Sequence, residues 1–268
     1  MVDHDVCSYM EFFGDDYLGA YHETISDENT LIEIGFVQQV LRLPVGSKIL
    51  DLCCGHGRHS VLLAKAGLSM TGLDLSAQYL KQAASYATSM GVDLQLVHSD
   101  MRQIPFESQF DAVINLFTSF GYLSSDNEDG HVLKQVSKAL KPNGRFLIDL
   151  INRDWVISNN LEEERKIAPN GTVYQEHRKL DLMNGRIKNS FTVTTPGGAT
   201  HKSNGLTIRL YALGELKDML SDAGLTIEAV YGGYKAQPYN NEARRMIVVS
   251  AKTCLLYTSP SPRDGLLS

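Results

Sequence analysis

Cysteine is scarce in this chain: four of its 268 residues, Cys7, Cys53, Cys54 and Cys254, with neither a C-x-x-C pair nor a disulfide framework. A reducing, cytoplasmic setting is therefore expected. No run of about 18 apolar residues occurs, so no membrane-spanning helix is expected. The opening MVDHDVCSYMEFFGDDY carries acids where a secretory leader has bases and an apolar stretch. Basic charge is short as well: 25 Lys and Arg stand against 31 Asp and Glu, a net charge of −6. That balance disfavours nucleic acid as a partner. No His/Asp/Glu cluster has ligand spacing, so no metal is expected, and no internal repeat is visible.

What is present is a globular composition, 43% hydrophobic, long enough for one sizeable α/β domain with a small insertion. That domain is read as residues 1–253, with the insertion at about 164–211. The segment from Cys254 to Asp264, CLLYTSPSPRD, looks like one translated frame of a transposase-type sequencing adapter. Residues 254–268 are accordingly expected to be a disordered tail outside the fold.

Between residues 45 and 150 short apolar runs alternate with helical patterns, the signature of a parallel sheet covered on both faces. Strands are expected at 48–52, 68–74, 94–98, 111–116 and 145–150. Helices are expected at 57–66, closed by Gly67, and from an N-cap at Ser76 to Met90, with Gly91 following. A further helix is expected at 131–141, where Val132, Leu133, Val136 and Leu140 share one face. Residues 30–43 read as an amphipathic helix stopped by Pro44, and Lys141-Pro142-Asn143-Gly144 reads as a turn. From 173 to 211 polar and apolar residues alternate around Asn184-Gly185 and Pro196-Gly197-Gly198, which predicts three antiparallel strands. A helix near 213–223 and strands at 225–231 and 245–250 rejoin the main sheet.

The informative stretch is Ile49-Leu50-Asp51-Leu52-Cys53-Cys54-Gly55-His56-Gly57-Arg58-His59-Ser60. A strand ends on a carboxylate, a small-residue turn follows, and a helix begins. Gly55 and Gly57 let the backbone turn sharply and approach a ligand closely, and the helix start favours an anionic group. Asp74, with Leu75 behind it, ends the second strand, where a carboxylate can accept both hydroxyls of a ribose. Asp100-Met101 follows the third strand, placed to accept from an adenine amino group and to offer an N–H and apolar contact. Three acids at successive strand ends face the ligand edge of such a sheet.

This series resembles the motifs of class I S-adenosylmethionine-dependent methyltransferases, within them the methyltransferase-domain group with an antiparallel insert after strand five. The resemblance covers roughly residues 15–252 and rests further on Asp149-Leu150-Ile151-Asn152 and Arg209-Leu210-Tyr211. It implies a doubly wound, Rossmann-like α/β fold: a seven-stranded sheet with an antiparallel last strand, plus a small three-stranded antiparallel insert. It implies S-adenosyl-L-methionine as cofactor, its methionine part held by the turn through Asp51, Cys53, Gly55 and Gly57 and by the backbone of Leu116. Asp74 and Leu75 would take the ribose, Asp100 and Met101 the adenine, and Tyr17 and Tyr21 would close over the donor. Cys53 stands where the group usually has glycine, a departure expected to crowd the turn without abolishing it.

The expected reaction is methyl transfer to oxygen or nitrogen of a small-molecule acceptor. Tyr122, Asn152, His177, Arg209 and Tyr211 are the candidate acceptor contacts. His177 is a candidate base, and Arg209 a clamp for a carboxylate or phosphate, or else a partner of Glu176 or Asp181. No catalytic residue is assigned. His56 and His59 are explained by capping or exposure, and Cys53 and Cys54 by packing. The insert's alternation puts one face on the domain and leaves the other for the substrate or for a partner subunit in a homodimer. A nicotinamide oxidoreductase is disfavoured, since Ser60 stands where its third glycine belongs and an acid precedes the turn. An RNA or protein methyltransferase and a non-catalytic cofactor-binding protein are the alternatives.

Overall fold

The apolar runs become strands in a computed structural model that describes residues 12–203 and 205–253; the proposed tail at 254–268 lies outside the described residues. The first five strands are β1 (Lys48–Leu52), β2 (Ser69–Asp74), β3 (Gln95–His98), β4 (Phe110–Asn115) and β5 (Leu140–Ile151). The insert follows as β6 (Glu163–Ile167), β7 (Val173–Asp181), β8 (Arg186–Thr194), β9 (Thr200–Lys202) and β10 (Leu206–Arg209), and then come β11 (Leu225–Tyr231) and β12 (Arg245–Lys252). The main sheet has seven strands in the order β11-β12-β5-β4-β1-β2-β3. β12 runs antiparallel to both of its neighbours, while the pairs among β1 to β5 are parallel. The doubly wound expectation, antiparallel strand included, is borne out.

Neighbouring residues of one strand serve opposite cores, as a sheet buried on both faces requires. Leu50, Val113 and Ile148 pack with Val132, Leu133 and Val136 of α5 (Asp126–Ala139). Ile49, Ile114 and Leu147 pack with Ile34, Val37 and Leu41 of α2 (Asp27–Leu41) and with Leu63 of α3 (Arg58–Lys65). The remaining helices among the described residues are α1 (Asp15–Ala20), α4 (Ala77–Met90), α6 (Arg153–Asn159) and α7 (Leu213–Asp222). Ser76 caps α4 and Gly91 closes it in the left-handed conformation, as expected.

Three features differ from the sequence reading. Helix α5 starts at Asp126 rather than near His131, because the Ser125 hydroxyl caps it and acids at 126, 128 and 129 suit the positive end of the helix dipole. The expected turn at 141–144 lies inside β5 as a bulge: pairing with β4 breaks between Phe110↔Leu140 and Ala112↔Arg145, and Asn143 has φ 61°. The insert holds five strands, β10-β8-β7-β6 with β9 beside β8, not three. β6 escaped notice because EERKI reads as a charged loop, although charge is also what protects an edge strand.

The insert is tied to the main domain at several points. The Arg209 N–H donates to the Gly121 carbonyl at 2.7 Å. Gly121 has φ +94°, and a Cβ there would stand 2.8 Å from the Arg209 carbonyl oxygen, so only glycine admits this contact. The inward face of the insert packs Tyr174, Phe191, Val193 and Leu206 against Phe12 and Ala20.

One ion pair organises the far side of the ligand edge. Asp149 is fully buried, and Arg245 from β12 forks onto both carboxylate oxygens at 2.7 Å. The Tyr234 hydroxyl donates to Oδ2 at 2.5 Å and the Phe117 N–H at 2.9 Å. Phe117 and Thr118 are held at φ 60° and 56°, so this acid pins the segment that follows β4. Arg245→Met strands the buried charge and is expected to cost about 3–5 kcal/mol in urea unfolding. A loss below about 1 kcal/mol would show the pair to be dispensable.

Candidate functional site

The strand order reverses between β1 and β4, which is where sheets of this kind bind ligands beyond their carboxyl ends. A cavity of about 190 Å3 opens there, walled by the turn after β1, the ends of β2 to β4, and Phe13 and Tyr17 from the amino-terminal side. Asp51, Asp74 and Asp100 all line it; the three acids do converge.

Asp51 is 2% exposed, and its Oδ2 accepts from the Ser60 hydroxyl at 2.5 Å. Burial lifts its carboxyl to about 7, against the pull of Ser60 and Arg58. In the turn, Cys53, Gly55 and Gly57 sit at φ 62°, 55° and 82°. A Cβ at Gly57 would meet Ala83 Cβ at 2.8 Å, so this glycine lets α3 approach α4, while a Cβ at Gly55 would meet nothing within 4 Å. Gly55 is therefore the open position of the turn, and Gly57 does not line the cavity.

Asp74 holds the turn in place. Its Oδ2 accepts from the Gly55 N–H and its Oδ1 from the Ser76 N–H, both at 2.8 Å. Burial raises its carboxyl despite these bonds. Asp100 behaves differently: burial pushes upward, but Arg102, at 2.7 Å, holds it below the ordinary value. Met101 lies beside Cys53, with sulfur atoms 3.8 Å apart. Leu75 and Leu116 complete that wall.

Aromatic side chains close the opposite side. Tyr17 lines the cavity and packs on Phe13 and Tyr21 with ring centroids 4.9 and 4.8 Å away. Tyr21 turns away and donates its hydroxyl to Glu176 of the insert at 2.9 Å. Tyr122 reaches the cavity. The other candidate acceptor contacts lie elsewhere. Asn152 is fully buried, caps α6, and donates to the carbonyls of Asn240 and Ala243. His177 meets Thr192 Oγ1 at 3.0 Å on the insert. Arg209 pairs with Asp126 and Glu215, not with Glu176 or Asp181. Tyr211 is buried and donates to Asp129 Oδ2 at 2.7 Å.

Among the cavity residues that the sequence reading did not place at the site are Phe13, Arg58, His59 and Tyr79. His59 is 5% exposed rather than at the surface. It meets Glu33 at 2.7 Å, and burial, with Arg58 beside it, lowers it to about 4. Arg58 also pairs with Glu33. The Tyr79 hydroxyl donates to the Phe13 carbonyl, fastening the amino-terminal segment over the cavity. The readable signal for Arg58 and His59 was their place in the first turn of the helix that leaves the glycine turn.

Residues 49–144 match a family model described as a methyltransferase domain. The chain is 39% identical over 109 residues to the putative methyltransferase YqeM of Bacillus subtilis, a match covering 40% of this chain and 44% of that protein. It is 28% identical over 200 residues to the dTDP-3-amino-3,4,6-trideoxy-alpha-D-glucopyranose N,N-dimethyltransferase of Streptomyces venezuelae, covering 72% and 81%. In fold it is similar to the CcbJ methyltransferase from Streptomyces caelestis, with a TM-score of 0.76, 18% identity, and coverage of 88% and 96%. Sheet order, convergent acids and these likenesses define a methyltransferase that uses S-adenosylmethionine. The chain is similar to class I of those enzymes in the matched segment and in fold.

Two measurements probe the turn. Cys53→Val places a β-branched residue at φ 62° and is expected to cost about 2 kcal/mol or more, whereas Cys53→Gly should stay within about 1 kcal/mol of the parent. Equal urea midpoints for the two variants would contradict this. Since burial lifts Asp51 from 3.8 to about 7, the folded chain holds a proton that the unfolded chain releases in that interval. Its stability must then fall as pH rises through it. Asp51→Asn should melt several degrees above the parent at pH 8, with a smaller gap at pH 5; a gap that does not change with pH would refute the shift.

Proposed function

We propose that this chain is one catalytic domain that transfers the methyl group of S-adenosylmethionine to an amine nitrogen of a small-molecule acceptor, under the lid formed by its insert. The observation that carries the choice of nitrogen is the protonation chemistry of the acceptor side. Tyr17 and Tyr122 are both pushed by burial above the ordinary phenol value, so they remain hydroxyl donors. His59 is lowered to about 4 and engaged with Glu33. None of these groups is poised near neutral pH to take a proton from an alcohol; Asp51, lifted to about 7, is engaged by the Ser60 hydroxyl at the turn that would hold the donor's amino-acid end, and a neutral amine needs no base as it attacks. The similarity to an aminosugar N,N-dimethyltransferase supports the same choice.

The site fits the donor because its open turn position, Gly55, lies beside a carboxylate that already orders the turn. Asp74 would take the ribose hydroxyls on its remaining lone pairs, with Leu75 alongside. Asp100, oriented by Arg102, and Met101 would face the adenine. Asp51, Cys53 and the backbone of Leu116 would surround the amino-acid end. The bound donor supplies a methyl group already activated on a sulfonium. Tyr17, Phe13 and Tyr122 would offer ring faces suited to a cation, fix the line of approach and keep water out. Tyr21 would act from behind, by joining α1 to Glu176. Among the described residues no helix is long and apolar enough to cross a membrane. The insert's outward face, with His177, Lys179, Lys188, Ser190 and Thr192, is the surface on which a homodimer would form.

Asp74→Ala is expected to weaken donor binding about tenfold or more in calorimetry, the loss of roughly 1.4 kcal/mol of hydrogen bonding. With labelled donor, a panel of small amines and alcohols should place label on amines. Label confined to alcohols would overturn the nitrogen assignment, and absence of label with donor binding intact would favour a passive binder.

A further inference from the structure

Resting on the donor-binding reading above, the charge inventory of the cavity assigns one more residue. Its wall carries the carboxylates of Asp51, Asp74 and Asp100 but, among the described residues, one permanent cation, Arg58. No lysine or arginine precedes Arg42 in the chain, so the amino-terminal segment bordering the cavity brings none.

Arg58 opens α3 directly after the glycine turn, and its side chain is only 10% exposed. One edge of its guanidinium is fixed: Nη1 donates to Thr30 Oγ1 at 2.9 Å and to the Glu33 carboxylate. The guanidinium carbon lies 5.0 Å from the centre of the Phe117 ring. The other edge is unsatisfied, because Nη2 is buried and has no hydrogen-bond partner. A buried, charged N–H without a partner is costly to keep, and an oriented guanidinium edge at a helix start suits a carboxylate. The ring, Thr30 and Glu33 hold the group so that Nη2 is the donor left over.

We propose that Arg58 receives the α-carboxylate of the donor's amino-acid end through Nη2, with Glu33 and Thr30 setting the plane of the guanidinium. The chain then distinguishes ligands by that carboxylate and not by the nucleoside alone.

The test is calorimetry on the full chain with two ligands: S-adenosylhomocysteine and S-adenosyl-3-thiopropylamine, which lacks only the carboxylate. The parent protein should prefer the former by about tenfold or more. Arg58→Met should abolish most of that preference, weakening S-adenosylhomocysteine about tenfold while moving the decarboxylated ligand less than about threefold. Equal weakening of both ligands would show that Arg58 acts only through the structure it shares with Glu33, and no change in either would remove it from the site; both outcomes overturn the proposal. Should the methionine variant fail to fold, Arg58→Lys keeps the charge but loses the fork, and its preference should narrow at least about threefold; an unchanged preference overturns the assignment. A parent protein that bound neither ligand would sink the donor-binding reading itself, a result separable from any failure at Arg58.

Discussion

The two hydrogen bonds accepted by Asp74 tie the parts of the site together. One fixes the Gly55 N–H and with it the left-handed turn after β1; the other fixes the Ser76 N–H and the start of α4. A single carboxylate at the end of β2 thus sets the separation of two helices and the shape of the ligand edge between them. Its burial is tolerable because both oxygens are engaged by backbone donors, which offsets part of the desolvation cost. Gly57 completes the geometry by letting α3 lie against Ala83 of α4. The cavity follows from this packing rather than from any loop placed for the purpose.

The proposed acceptor side is built by different means. Its wall comes from an amino-terminal segment held by Tyr79, backed by Tyr21 bonded to Glu176 and by the aromatic cluster on the insert's inner face. Glu176 is fully buried and satisfied by Tyr21, Arg178 and Lys166 together. Buried ionic networks of this kind add little net stability over apolar packing but penalise misplacement heavily. Here the network joins the amino-terminal helical segment to the insert through Tyr21. The proposed donor and acceptor sides therefore rest on separate supports, the first on main-sheet backbone, the second on side-chain contacts between distant segments.

That division explains what was legible in the sequence. Asp51, Asp74 and Asp100 were readable because each ends a strand whose apolar run is plain, and parallel sheets bring such ends together. β1 and β11 were placed with their observed bounds for the same reason. Arg209, Tyr211 and Asn152 were read as acceptor contacts from residue type, position along the chain and resemblance, and long-range partners absorbed them: Asp126 and Glu215, Asp129, and the 240–243 backbone. No local pattern encodes such partners. Strand β6 hid because charge on an edge strand looks like charge on a loop. Arg58 and His59 hid because burial at the first turn of α3 depends on Glu33, a residue on another helix.

The close approach of Gly121 to Arg209 has a consequence for how this scaffold can diversify. The segment after β4, which supplies Phe117 and Tyr122 to the cavity, shares a main-chain bond with the last strand of the insert. Neither can be exchanged alone without breaking a contact that admits no side chain. Altering what the enzyme recognises, by recombination or by design, thus calls for transplanting residues 117–123 and the insert as one cassette.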